Sequence, residues 1–382
     1  MRYISKFGFQ CFLNLKPFIL SDKKVRKMDL KESEKLVNSD FEKLIYSGRI
    51  DFSNFLAPIF IFPGSSAKML FTGCKLKILV KNNHGYYDNY IGYILDGVQK
   101  KVLLSNDNSI QEITLANDLQ DDKTHEVILF KRQDACHEFA FYGFIISKDG
   151  KVMTPYKKSR RYMEFYGESA AAGELVEDIE YAVRPDVKHN GQYSNAWYSY
   201  AMMTARNLKT NVSIIAQGGI SLLDNAGYFH APDSIGMERI YDKLHFNPDL
   251  GNIINWNFKR YTPQVVVIDI GQNDAVPEDY MKKDKDGYKS KIWKNHYIEF
   301  VLNIRRIYPN ALIVLTTTIK NHDPSWDRAI GLICQEINDE KILHFLYSYN
   351  GRGTPFCTRV GEAEQMALEL SMFLKSYGPG IW

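Results

Sequence analysis

The sequence predicts an α/β protein in two parts, an antiparallel β-sandwich leading into a parallel sheet flanked by helices. Three observations carry that expectation. In the first half of the chain apolar and polar residues alternate at period two, with no helical period. After Pro155 strand-like and helix-like segments alternate instead, the pattern of a parallel sheet with helical crossovers. The chain has 382 residues, 45% hydrophobic and 24% charged, enough for two or three domains with cores of their own.

Residues 1–40 read as an N-terminal tail that ends in the charged segment from Lys23 to Glu34. Residues 41–155 read as the sandwich. Leu76, Ile78 and Val80 alternate with Lys75, Lys77 and Lys81, and Tyr90 to Leu95 runs into the hairpin signal Asp96–Gly97 before Val98 to Leu104. Ile113 and Leu115, Val127 to Phe130 and Phe139 to Ile146 continue the series. Short strands at such spacing suit a jelly roll.

Residues 156–382 read as the α/β domain. Its strands are Met163 to Tyr166, Val212 to Ala216, Val265 to Ile270, Leu312 to Thr316 and Ile342 to Tyr347. Helices fall over Asn195 to Leu208, Trp293 to Ile307 and Trp326 to Ile337, and a last one carries Ala363, Met366, Ala367, Leu370, Phe373 and Leu374 on one face. This is a three-layer, flavodoxin-like arrangement, and it puts ligands at the C-terminal ends of the strands.

Composition narrows the function. A net charge of +3 is too small to imply nucleic acid, and the run Lys157–Lys158–Ser159–Arg160–Arg161 reads as a solvated edge. The five cysteines, Cys11, Cys74, Cys136, Cys334 and Cys357, are widely spaced, which indicates neither a zinc site nor a disulfide framework. No cofactor is expected. No stretch approaches the roughly 18 apolar residues of a membrane helix, so no membrane partner is expected. Met1 to Ser21 makes a poor signal peptide, being interrupted by Asn14, Lys16 and Pro17. The 24 tyrosines and 22 phenylalanines are numerous, and a surplus of tyrosine suits stacking on sugar rings.

The strand ends hold the candidate chemistry. The first strand ends in Tyr166–Gly167–Glu168–Ser169, where a serine on a tight turn faces the crevice; the same residues suit a helix N-cap. The second ends in Ala216–Gln217–Gly218–Gly219, whose glycines let backbone N–H groups approach a ligand. The third ends in Gly271–Gln272–Asn273–Asp274, with an amide able to donate to a developing oxyanion. Together the N–H groups of Ser169 and Gly219 and the amide of Asn273 would converge as an oxyanion hole for acyl transfer.

Order and spacing of these three blocks resemble the SGNH hydrolases, whose first block usually reads Gly-Asp-Ser where this chain has Gly167–Glu168–Ser169. The resemblance extends further. The segments Lys131–Arg132–Gln133–Asp134, Tyr162–Met163–Glu164–Phe165, Ser194–Asn195–Ala196–Trp197–Tyr198–Ser199–Tyr200 and Thr262–Pro263–Gln264–Val265–Val266–Val267 look like the second family of carbohydrate esterases. That family joins a jelly roll to an SGNH domain. The resemblance implies Ser169 as nucleophile, removal of O-acetyl groups from xylan-like poly- or oligosaccharides, no metal, and an extracytoplasmic role.

In that superfamily the base is a histidine between the last strand and the last helix. Here Asn350 to Val360 contains neither histidine nor carboxylate, and Cys357 stands at the histidine position, with Thr354 at that of its aspartate partner. Of the nine histidines, His230 and His322 lie in loops able to approach the crevice. Losing the histidine costs a serine hydrolase on the order of 10⁶ in turnover, leaving about 10³–10⁴ over water. Two expectations follow: a carbohydrate O-acetyl esterase of impaired competence, or a degenerate family member that binds saccharide without cutting it. Trp197 and Trp326 are the candidate saccharide-binding aromatics, and helix packing is their competing role.

Overall fold

A computed structural model describes residues 30–154, 159–182 and 184–382. The readings on Met1 to Ser21, Cys11, Pro155 and Lys157–Lys158 lie outside the described residues. The first part is built from β1 (Glu34–Asn38), β2 (Ile45–Ser47), β3 (Ile50–Asp51), β4 (Ile59–Phe60), β5 (Ser66–Phe71), β6 (Leu76–Asn83), β7 (Tyr90–Leu95), β8 (Val98–Leu103), β9 (Ile110–Ala116), β10 (His125–Lys131), β11 (Glu138–Ser147) and β12 (Val152–Met153).

These strands form two six-stranded antiparallel sheets. One runs β3-β4-β11-β6-β9 with β1 against β11; the other runs β12-β5-β10-β7-β8 with β2 against β5. The alternation seen in the sequence sends Leu76, Ile78, Val80, Phe139 and Phe141 to meet Met69, Phe71, Ile91, Val127 and Leu129 in one buried core. The Asp96–Gly97 turn joins β7 to β8, both residues having positive φ (50° and 84°), as a tight hairpin of this hand requires.

One expectation needs correction. The sandwich begins inside the stretch read as tail, since β1 pairs along β11 from Glu34↔Ser147 to Asn38↔Gly143. Lys77 is buried, with Glu34 and Glu112 bracketing its ammonium at 2.9 and 2.7 Å. Period two told which face Lys77 occupies, but not that a charged strand would cover that face.

The second part carries β13 (Tyr162–Gly167), α1 (Ser169–Ala172), α2 (Tyr200–Leu208), β14 (Asn211–Ala216), α3 (Met237–Ile240), the ribbon β15 (Lys243–His245) and β16 (Ile254–Asn255), and β17 (Val265–Asp269). There follow α4 (Tyr280–Lys283), α5 (Tyr288–Ile307), β18 (Leu312–Thr316), α6 (Pro324–Ile337), β19 (Ile342–His344) and α7 (Val360–Ser376). The five-stranded parallel sheet runs β14-β13-β17-β18-β19. On one face α5 and α6 bury Trp293, Phe300, Ile304, Trp326 and Ile330 against Tyr166, Ile268 and Ile313. On the other, α2 and α7 bury Ala201, Ala205, Met366 and Leu370 against Phe165, Ile214, Val267 and Val314. Strands covered on both faces read as the continuous apolar runs the sequence shows.

The two parts meet along the segments that carry the family resemblance. Ala196 N–H donates to the Arg132 carbonyl (2.7 Å). Gly218 N–H and the Gln217 amide donate to the Asp134 carboxylate at 2.8 and 2.7 Å. Arg49, fully buried, donates to the carbonyls of Tyr241 and Lys243 and lies 3.7 Å from the equally buried Glu164. The sandwich thus braces the glycine turn that follows β14.

Candidate active site

Register places the site. Gly167 pairs with Ala216 on one side and Asp269 on the other, and Asp269 pairs with Thr316. This row marks where the central strands stop. Just past it the chain turns outward into Glu168–Ser169, Gln217–Gly219, Gly271–Asn273 and Thr317–Lys320, at the C-terminal edge where such sheets take ligands.

Ser169 opens α1 and is 6% exposed. Gly167 is required by contact rather than by φ: a Cβ there would fall 2.5 Å from that of Ala171. Glu168 is buried, and its carboxylate accepts the N–H groups of Gly271 (2.9 Å), Gln272 (3.1 Å) and Asn273 (3.4 Å). Burial raises its pKa, while those N–H donors and Lys320 pull it down. The extra methylene of Glu168, relative to the usual aspartate, reaches across to the third strand's loop and fastens it.

Gly219 has φ +71°, and a Cβ there would sit 2.9 Å from Cβ of Tyr228. Its carbonyl accepts the N–H groups of Tyr228 and Phe229, which folds the next loop back over the site. Asn273 donates one amide N–H to the Ile220 carbonyl at 2.9 Å, which fixes the amide and leaves its second N–H for a ligand. Ser169, Gly219, Asn273 and Cys357 all line one cavity of about 680 Å³. Tyr86, Tyr87 and Asp134 of the sandwich complete its wall, together with Tyr228 and Phe229.

Cys357 is buried, its N–H donating to Asp186 at 3.2 Å and its carbonyl accepting from Arg359 at 2.8 Å. Burial pushes the thiol pKa well up, with Glu174 and Asp186 adding to the rise and Lys320 opposing it. A protonated, buried thiol is a poor base. Thr354, also buried, pairs alongside Lys320 in an isolated parallel bridge, so the loop bearing Cys357 is laced to the end of β18.

No histidine takes the vacated place among the described residues. His322 does not line the cavity; its ring bonds Asp327 (3.0 Å) and the Lys320 carbonyl (2.7 Å). His230 lines the wall but faces Asp249 at 3.4 Å. His189 lies 3.4 Å from Glu174, whose carboxylate forms part of the wall.

The two tryptophans expected to hold saccharide do not reach the cavity. Trp326 has 0% exposure, stacks edge-on against Trp293 and donates to Asp279. Trp197 packs between Phe130 and the Arg206 guanidinium. Helix packing turned the Trp326 ring inward, while Trp197, in a single helical turn ahead of α2, is half-buried against these neighbours. The cavity is lined instead by Tyr86, Tyr87, Tyr228 and Phe229, of which Tyr86 and Tyr228 are 52% and 60% exposed. Sequence reading passed over them, and over Lys320 and Glu174, because loop residues carry no periodicity. Lys320 had one signal: it follows Thr316 at the offset by which Asn273 follows Asp269.

Comparison with known proteins agrees with this geometry. Residues 46–155 match the family model for the carbohydrate esterase 2 N-terminal domain. The chain is 30% identical over 285 residues to cellulase/esterase CelE of Acetivibrio thermocellus, a match covering 74% of this chain and 32% of that protein. It thus spans about a third of that relative. It is 23% identical over 307 residues to an acetylxylan esterase / glucomannan deacetylase of Cellvibrio japonicus, covering 79% of this chain and 80% of the other. Among solved structures, a family two carbohydrate esterase from Clostridium thermocellum in complex with cellohexaose superposes with TM-score 0.72 at 25% identity, covering 89% of this chain and all (100%) of that one. A family two esterase from Cellvibrio japonicus gives 0.75 at 21%, covering 90% and 98%. From its sandwich through its α/β domain, this chain resembles carbohydrate esterase family 2.

Proposed function

We propose that the chain is a carbohydrate O-acetyl esterase that takes acetylated, xylan-like poly- or oligosaccharides, with Ser169 as nucleophile and no metal or cofactor. The reading includes a jelly-roll sandwich whose tyrosines help hold the sugar, and an extracytoplasmic site of action. One observation carries it: Ser169, Gly219 and Asn273 line a single cavity at the C-terminal edge of adjacent strands.

In this reading the Ser169 hydroxyl attacks the acetyl carbonyl. The N–H groups of Ser169 and Gly219 and the Asn273 amide receive the oxyanion, each donor contributing about 3 kcal/mol. The sugar oxygen leaves with a proton, and water then releases acetate from the serine. Tyr86 and Tyr228 offer flat, half-polar faces suited to a pyranose ring. Cys357 supplies no histidine-like base, so neutral-pH turnover is expected to be low.

The test is acetate release from acetylated xylo-oligosaccharide, compared with Ser169→Ala. Ser169-dependent release supports the esterase. Its absence, with oligosaccharide binding retained in calorimetry, favours the second reading, a saccharide-binding member without turnover. Cys357, a buried cysteine at the place where the resemblance puts a histidine, is the observation on that side.

A further inference from the structure

Every partly buried carboxylate on the cavity wall has a partner of its own. Asp134 accepts from Gly218 and Gln217, Asp186 holds Arg359 at 2.6 Å, and Glu174 faces His189. Lys320 differs. It lines the same wall half-buried, and its ammonium has no hydrogen-bond acceptor or ion-pair partner among the described residues. A lysine withdrawn from water without a partner is costly to keep, so its position calls for a role.

Its place is defined from two sides. Thr318, at the end of β18, fixes the Lys320 backbone through its hydroxyl at 3.1 Å. The bridge to Thr354, with Asn321 N–H on the Thr354 carbonyl (2.7 Å), holds it against the loop that bears Cys357. Cys357 in that loop and Glu168, the residue before Ser169, both feel the Lys320 charge. Lys320 therefore stands on the side of the cavity where the resemblance puts a histidine.

We infer that Lys320 is the base that takes the proton of Ser169, the two forming a serine–lysine pair in place of a serine–histidine pair. The inference rests on Ser169 being the nucleophile. The neutral amine accepts the hydroxyl proton as the serine oxygen bonds to the acetyl carbon. The resulting ammonium returns that proton to the departing sugar oxygen as the C–O bond breaks. Water then replaces the sugar, and the same two transfers release acetate and restore the amine.

The surroundings set when the pair works. Burial would lower the lysine pKa, but Cys357, Glu168, Glu174 and Tyr228 around it hold it above its ordinary value. Asp134, Asp186 and His230 line the same cavity, and His322 on its own segment is engaged with Asp327. Only the neutral amine accepts a proton, and at pH 7 it is below about one in a thousand of the molecules. Turnover should therefore climb about tenfold per pH unit from neutrality to the alkaline end of the range, with no plateau below the ordinary lysine value.

The experiment measures acetate release, and labelling of Ser169 by a fluorophosphonate probe, from pH 7 to 10.5. It uses the native chain, Ser169→Ala, Lys320→Arg, Cys357→His and the double variant Cys357→His/Lys320→Arg. Arginine keeps the charge but does not give up its proton, so Lys320→Arg should lose at least about a hundredfold at pH 9. In the double variant the new histidine supplies the base, and Lys320→Arg should then cost less than about threefold at pH 7. Lys320→Arg within about twofold of native at every pH would overturn the inference while leaving Ser169 its role. A double variant as inactive as Lys320→Arg, with Cys357→His alone active, would overturn it too, since lysine would then serve something other than proton transfer. A native chain no faster than Ser169→Ala at any pH removes the nucleophile itself, a separate result.

Discussion

The two walls of the cavity are built by different means. The wall of the proposed nucleophile, Ser169, comes from β13, β14 and β17, whose ends are aligned by register and tied by buried hydrogen bonds. Glu168 collects three N–H groups of the next loop, and Asp274 beside Asn273 accepts those of Leu222 and Leu223 at 2.7 and 3.2 Å. The wall of the proposed base hangs on β18 and on the loop before α7, which carry Lys320 and Cys357. The Cys357 side chain sits among Glu174, Asp186 and Lys320, and its backbone meets the Asp186 carboxylate and the Arg359 guanidinium. In the proposed reading a base can be exchanged without disturbing the oxyanion donors, whereas a change at Glu168 disturbs the whole of its wall.

The largest expected effect breaks this asymmetry directly. If the nucleophile wall is competent and lacks only a base that is neutral at pH 7, Cys357→His should raise acetate release at pH 7 by about 10²–10⁴-fold, the usual worth of a general base. Adding Ser169→Ala should remove that gain entirely. No rise in a well-folded Cys357→His protein would mean the nucleophile wall is also out of place.

Trp326→Ala and Tyr228→Ala sharpen which aromatics belong to the site. Trp326 fills the core beside Trp293, so its loss should cost about 3–5 kcal/mol of stability without selective loss of saccharide affinity. Tyr228 is exposed at the cavity and should show the reverse: weaker oligosaccharide binding with melting unchanged within about 0.5 kcal/mol. Chemical denaturation and calorimetry on both variants would separate them. Equal effects on affinity would put Trp326 back among the binding residues.

Glu168→Ala tests the nucleophile wall by itself. It strands the N–H groups of Gly271 and Gln272 in a buried place, at about 2–4 kcal/mol together. Asn273 loses its support at the same time, so acetate release should fall in the Cys357→His background. Denaturation midpoints within error of the parent would show that the loop is held by something else.

What was legible in the sequence follows the same division. The strands of both parts carry period two or continuous apolar runs, so the α/β class, the parallel sheet and the positions of Ser169, Gly219 and Asn273 at strand ends could be read from the pattern. Cys357 could be read by counting back from the amphipathic α7. Lys320, Glu174 and the cavity tyrosines could not, because their loops fold by contacts between distant segments, such as Asn321 with Thr354, that leave no local signature. The tryptophans misled for a related reason. A large aromatic near a motif suits sugar stacking, yet on an amphipathic helix the same ring is core. β1 was missed because a short, charged strand covering a buried lysine looks like a tail.

The smallest expected effect concerns the loop segment that joins the nucleophile wall to the sandwich. From Gly219 the chain passes Tyr228 and His230 and ends in β15, where His245 lies between Asp51 and Glu138 of the sandwich at 3.0 and 2.9 Å. Burial alone would lower the His245 pKa, but hydrogen bonds to Asp51 and Glu138 push it up to about 9. Because the folded value lies above the unfolded one near 6.5, the contribution is complete below pH 6.5 and is lost as pH rises through 9. Its size should be about 1–3 kcal/mol. The native chain should therefore out-melt His245→Gln at pH 6, and the gap should close by pH 10. A gap constant across that range would show that His245 holds the loop as a neutral spacer. A closing gap would make the seam with the sandwich, and not the sheet alone, part of what keeps Gly219 in position.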